Sequence, residues 1–197
     1  MEIAGQHFSI AEFIGTLSGL IAVWLTVKEN KWCFPIGIIS SIVYAYVFFS
    51  PSVKYYADAI LQIVYVVLLV YGWINWTTRK QNSKALPVTR FILQQQFSFG
   101  LIILLSTILI GFLFNKYTDA SLPFVDALTT SMSLVAQWMV AKKKIENWHL
   151  WIAANLIYVY MYLHKELYIT SIFYFVLLIL AFAGLKEWKK HLVNSSS

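Results

Sequence analysis

Read for polarity alone, the chain alternates between long apolar runs and short polar breaks. Crossing a bilayer takes about 20 mostly apolar residues, because backbone polar groups in lipid must be satisfied inside the helix. The runs predict seven membrane helices, at roughly 10–27, 33–50, 57–76, 91–114, 123–141, 149–164 and 167–185. Runs two and six are short and joined to their neighbours by tight connections. Pro35 falls in the first turn of run two, where a missing N–H costs little. The main polar break, 77–90, holds Arg79, Lys80, Gln81, Asn82 and Ser83 and reads as a soluble linker. The tail at 194–197 reads as disordered.

The pattern repeats. Lys28-Glu29-Asn30-Lys31-Trp32 opens run two, and Lys144-Ile145-Glu146-Asn147-Trp148 opens run six, at an offset of 116 positions. Later, Gly72 and Trp76 are echoed by Gly184 and Trp188, at an offset of 112. The shorter offset implies a connection four residues shorter in the second copy. A three-helix unit ends on the opposite side from where it began, so an identical copy needs one more crossing first. The fourth run, with Leu101, Ile102, Ile103 and Leu104, is bland enough to be that lipid-facing connector. The expected fold is an all-α integral membrane protein of seven helices: two parallel three-helix repeats joined by a connector helix. The first repeat covers 10–76, the linker and connector 77–122, and the second repeat 123–188.

Composition agrees. The chain has 197 residues, 59% hydrophobic and 12% charged, against roughly 25% charged in a soluble domain. The net charge of +6 does not form a stripe, so nucleic acid is not the expected partner. Its distribution instead sets orientation. Three of the basic residues, Lys54, Lys116 and Lys165, fall on one side of the predicted spans, and the other twelve on the opposite side. Basic loops stay in the cytoplasm, which predicts an outer N-terminus and a cytoplasmic C-terminus. The start of the chain lacks the basic region of a cleaved signal peptide, so the first run is expected to be retained. Cys33 is the single cysteine and excludes an internal disulfide.

Polar residues inside the spans are costly and point to function or to helix contacts. The fifth run carries Asp126, Thr129, Thr130, Ser133 and Gln137 on one face. The third carries Asp58, Gln62 and Tyr65. The sixth carries Trp148, Trp151, Asn155 and Tyr158. The plain alternatives differ by residue. Thr16, Ser18, Ser106 and Thr107 fit backbone bonding or close helix approach. Trp32, Trp76, Trp148 and Trp188 fit an interfacial belt. Glu12, Asp58 and Asp126 fit a solvated cap or outer mouth. Trp151 and Asn155 lie deeper and are the best candidates to line a ligand path, with Gln62 and Gln137 beside them.

Several chemistries are excluded. The histidines His7, His149, His164 and His191 are scattered, so no metal site is expected. No phosphate-binding Gly-rich loop exists, and no nucleophile is paired with a base, so the chain is not expected to be an enzyme. Mid-membrane carboxylates are missing, which argues against proton coupling. The last helix has no lysine before Lys186, which argues against retinal. What remains is a pocket of Trp, Tyr, Asn, Gln and Thr, suited to an aromatic, polar, cationic small molecule.

Trp32-Cys33-Phe34-Pro35-Ile36-Gly37, Tyr56-Ala57-Asp58 with Gln62, Tyr71-Gly72-Trp73 and the segment 146–155 together resemble the PnuC family of bacterial vitamin transporters, over nearly the whole chain. The last segment contains Trp-x-x-Trp-x-x-x-Asn, here Trp148, Trp151 and Asn155, the mark of the family's nicotinamide riboside transporters. The resemblance implies a homotrimer in the inner membrane, contacting lipid, with no cofactor. It implies facilitated diffusion of an unphosphorylated vitamin, trapped by a cytoplasmic kinase for pyridine nucleotide synthesis. Taken with the polar helix faces, the candidate substrate-binding set is Trp148, Trp151, Asn155, Gln62, Gln137, Thr130, Asp58 and Tyr158. Thiamine, another cationic aromatic vitamin, is the alternative cargo, with riboflavin behind it. A membrane scaffold or binding subunit is the alternative class, although the loops are short for docking.

Overall fold

The computed structural model describes residues 2–3, 6–7, 9–50, 56–78, 86–118, 122–164 and 166–192. Residues 79–85 of the polar linker, Lys54, Lys165 and the tail lie outside them. Two two-residue strands, β1 (Glu2–Ile3) and β2 (Gln6–His7), pair antiparallel. Seven helices follow: α1 (Ile10–Val27), α2 (Cys33–Phe49), α3 (Tyr56–Thr78), α4 (Leu93–Tyr117), α5 (Pro123–Ala141), α6 (Glu146–His164) and α7 (Tyr168–Lys190).

The helices agree with the apolar runs to within two residues except at three ends, one of which is the fourth helix, running on to Tyr117. The sixth begins at Glu146, before its apolar stretch, because an acidic first turn complements the helix dipole there. The seventh continues to Lys190, past the last apolar residue. Its final turn carries Lys189 and Lys190, favourable at a helix C-terminus, and Lys190 pairs with Glu187 at 2.6 Å. A hydropathy count stops at the first charge; the helix does not. At the other end of the chain, Ser9 and Glu12 form a reciprocal capping box that starts α1 (Glu12 N–Ser9 Oγ 3.1 Å, Ser9 N–Glu12 Oε2 2.7 Å). Glu12 is therefore a cap.

The chain divides into two compact units, Met1–Leu86 and Pro87–Ser197. In the first, α1 packs on α2 and α2 on α3. Gly15 and Gly19 open a groove on α1, one turn apart. The Ser40 hydroxyl lies in it, donating to the Gly15 carbonyl at 2.7 Å, and a Cβ on Gly19 would meet that hydroxyl at 3.1 Å. Small residues of this kind let membrane helices approach closely. Deeper in the unit, Phe34 presses on Gly72 and stands edge-on to Trp76, with ring centroids 4.9 Å apart at 87°.

In the second unit α4 packs on α5, α5 on α6 and α6 on α7. Here Trp148 presses on Gly184 and stands edge-on to Trp188, at 5.4 Å and 89°. Trp148 thus plays the part of Phe34, not of Trp32. The turns agree: Glu29 and Lys143 both adopt positive φ of 51°. The Asn30 N–H donates to the Leu25 carbonyl at 2.9 Å, and the Lys144 N–H to the Met139 carbonyl at 2.9 Å. Each pair lies 114 positions apart. The offset of 116 read from Lys28–Trp32 and Lys144–Trp148 is therefore corrected to 114, and the offset falls by two before Gly72 and Gly184, not four. The sequence match aligned similar letters two residues out of register, because neither left-handed turn residue is a glycine that would mark the turn.

The end of the linker is also not loose chain. Thr89 bridges the α5–α6 turn, donating to the Lys143 carbonyl at 3.0 Å and accepting from the Ile145 N–H at 3.1 Å. Val88 pairs with Leu192 beyond α7. The Phe91 N–H donates to Glu146 Oε1 at 3.0 Å, its ring stacks on Trp138, and Lys144 Nζ lies 4.5 Å from its centroid. Leu86, Val88 and Phe91 are buried. Residues 86–91, the end of the segment read as a soluble linker, form a strap. By length and composition, α1, most of α3, α4 and α7 are able to cross a membrane, and α2 is a shorter apolar helix. Only α5 and α6 are interrupted by polar groups throughout.

Candidate functional site

The turn between α5 and α6 is centred near Lys144, so residues equally far from it lie at one depth. Gln137 then matches Trp151, Ser133 matches Asn155, and Thr130 matches Tyr158. At about 1.5 Å per residue, these levels stand roughly 10, 16 and 21 Å from the turn. Along each helix the steps are three and four, so each trio shares a face. Polar positions on both helices thus fall at matching levels along the hairpin.

Their hydrogen bonding sets them apart. A hydroxyl inside an apolar helix ordinarily bonds the carbonyl four residues back. Ser18, Thr26, Ser106 and Thr129 all do so here, at 2.6 to 3.1 Å. Thr130 and Ser133 do not. Among the described residues, Thr130 (9% exposed), Ser133 (4%) and Asn155 (5%) form no side-chain hydrogen bond. Among the described residues the side-chain atoms sealed from water without a hydrogen-bond partner are others, Thr107 Oγ1, Ser131 Oγ, Glu146 Oε2, Asn147 Oδ1 and Trp148 Nε1; the polar atoms of Thr130, Ser133 and Asn155 stay accessible, so water or a ligand can reach them. Thr130 and Ser133 on α5 and Asn155 on α6 are therefore the candidates for an external partner. Trp151 and Gln137 are half-buried on the level nearest the turn.

The remaining sequence candidates fall elsewhere. Trp148 is 2% exposed and Trp188 is 0%. Both fill the α6–α7 contact, which corrects their reading as interfacial anchors and places Trp148 in packing. Position near a helix end left the two roles indistinguishable; the glycine facing the ring decides. Trp32 is exposed. Asp58 is exposed near the start of α3, and Gln62, a turn further on, is half-buried; both belong to the first unit. Tyr158 stacks on Tyr174 at 4.4 Å. Sequence reading did not single out Tyr174 or Tyr162, and Ser133 was noted only as part of a polar face. The offset of 112 that relates Gly72 to Gly184 sets Tyr174 against Gln62 and could have drawn attention to it. Among the described residues no three of His, Cys, Asp and Glu come together to hold a metal. The helical part of α5 and α6 contains no Lys or Arg.

Comparison with known proteins gives the geometry a context. The family described as nicotinamide mononucleotide transporter matches residues 9–190. The nicotinamide riboside transporter PnuC of Escherichia coli (strain K12) is 25% identical, over 93% of this chain and 87% of its own length. The riboflavin/roseoflavin transporter RibM of Streptomyces davaonensis is 23% identical, over 93% of this chain and 86% of its own. A crystal structure of the vitamin B3 transporter PnuC shares the fold with a TM-score of 0.73 at 20% identity, covering 91% of this chain and 80% of that one. These families and neighbours are transporters, not enzymes. Matched along nearly all of its length, this multi-pass membrane chain belongs to the nicotinamide mononucleotide transporter family, the PnuC family of membrane transporters.

Proposed function

We propose that the protein takes up nicotinamide riboside by uniport, down its gradient, and that a cytoplasmic kinase traps the product. The observation that carries this reading is the unpartnered amide of Asn155, with the Thr130 and Ser133 hydroxyls across the hairpin and the Trp151 indole one turn away. The indole face suits a delocalised cationic ring. The amide suits a carboxamide, and the hydroxyls suit a ribose. A phosphate calls for Arg, Lys or a helix N-terminus. The α5 and α6 spans carry no basic residue, which favours the nucleoside over the mononucleotide. The riboside-transporting relative supports the same cargo. Riboflavin is the second reading, supported by the streptomycete relative; thiamine shares the cationic ring.

The recurrence of turn and glycine–aromatic contacts at offsets of 114 and 112 supports two parallel repeats around a connector. The proposal includes a homotrimer in the inner membrane, with the N-terminus outside. Calorimetric titration of the purified protein with nicotinamide riboside, nicotinamide mononucleotide, thiamine and riboflavin tests the cargo. Saturable binding of the riboside alone is expected. Tighter binding of riboflavin or thiamine would reassign it.

A further inference from the structure

The two tight helix hairpins, α1–α2 and α5–α6, allow one side chain to be compared with its own counterpart. In the first, the Tyr44 ring lies against Gly15 and its hydroxyl is 2.6 Å from Thr16 Oγ1. At an offset of 114 stand Tyr158 and Thr130. The Thr130 side chain nevertheless forms no hydrogen bond among the described residues. Tyr158 is engaged with α7 instead. Its ring stacks on Tyr174 at 4.4 Å and 27°, and Tyr162, one turn along α6, lies 5.3 Å from the same ring at 11°. By the offset of 112 that relates α3 to α7, the first unit has Gln62 where Tyr174 stands. An amide offers no ring to stack on, so Tyr44 keeps only the stacking on its own helix, with Phe48, that Tyr158 also has with Tyr162 at 6.1 Å and 20°.

A helical tyrosine has two common χ1 rotamers, so its ring has discrete alternatives. We propose that Tyr174 is a positioning residue: its ring holds Tyr158 on α7, keeps it off Thr130, and so leaves the Thr130 hydroxyl for the ligand. The proposal rests on the ligand face assigned above. It explains why one hairpin closes its Thr–Tyr pair and the other leaves it open. The difference lies in a residue of the third helix, not in either member of the pair.

The test uses the full-length protein and nicotinamide riboside as probe. Tyr174→Gln installs the first unit's residue and frees Tyr158 to bond Thr130; affinity is expected to fall about tenfold, the scale of one competing hydrogen bond. Tyr174→Phe keeps the ring and retains affinity. Adding Tyr158→Phe to Tyr174→Gln removes the competing hydroxyl and restores it. A second readout needs no ligand. With fluorotyrosine incorporated, the Tyr158 fluorine resonance is expected to move in Tyr174→Gln and not in Tyr174→Phe, and Thr130→Val should abolish the shift. The inference is overturned if Tyr174→Gln binds like the parent, if Tyr158→Phe does not restore affinity, or if the shift is indifferent to Thr130. If the parent itself does not bind the riboside, the ligand reading fails, and the fluorine shift alone judges Tyr174.

Discussion

Trp151 and Asn155 sit one turn apart on α6 and face different tasks. Trp151→Ala removes a stacking and cation–π contact worth roughly 1–2 kcal/mol when desolvated, so riboside affinity should fall about tenfold or more. Asn155→Leu strands a polar ligand group, at a cost of roughly 1–3 kcal/mol. Gln137→Leu, level with Trp151, should weaken binding in the same direction. Ser106→Leu is the control, because that hydroxyl is satisfied by the Ile102 carbonyl at 2.7 Å on α4. Titration of each purified variant checks the set. Wild-type affinity in stably inserted Trp151→Ala and Asn155→Leu would make the pair structural.

Between helices, the decisive contacts are an aromatic ring against a glycine. A Cβ on Gly184 would lie 2.4 Å from the Trp148 ring, and one on Gly72 only 2.1 Å from Phe34. Neither ring has a flexible end that can give way. Gly184→Ala and Gly72→Ala should each destabilise by about 1–3 kcal/mol through overpacking. Thermal melting in detergent measures this, and Trp148→Phe, a smaller ring, should recover part of the Gly184→Ala loss. Full-strength melting of both alanine variants would contradict the packing described. The strap offers a separate check. Thr89→Pro removes the donor to Lys143. Accelerated amide exchange at Ile145 and in the α5–α6 turn is expected, whereas an unchanged rate would show that the strap does not hold the turn.

For the molecule as a whole, the charge asymmetry of twelve basic residues against three makes a direct prediction. A reporter fused after Ser197 should be cytoplasmic and one before Met1 periplasmic. If both report the same side, the number of crossings is even and the repeat argument fails. Coupling is tested in liposomes containing only this protein. Uptake should follow the riboside gradient and persist when proton and sodium gradients are collapsed. Accumulation against the riboside gradient, driven by an imposed ion gradient, would refute uniport.

Helix number was legible in the sequence because the bilayer sets a length, whereas charges hid the first turn of α6 and the last turn of α7. The α5 and α6 polar faces were legible because helical spacing alone puts Thr130, Ser133 and Gln137, or Trp151, Asn155 and Tyr158, on one side. Such patterns are local, and local periodicity survives without tertiary structure. The burial of Trp148 was not legible, since it depends on Gly184 across a helix contact. Nor was the register of the repeat, set by left-handed Glu29 and Lys143 where no glycine announces a turn. Nor was the strap at 86–91, whose partners are the α5–α6 turn and Leu192, far away along the chain. Above all, sequence marks a polar group as present but not as satisfied. Only packing decided that Thr16 is paired and Thr130 is left open.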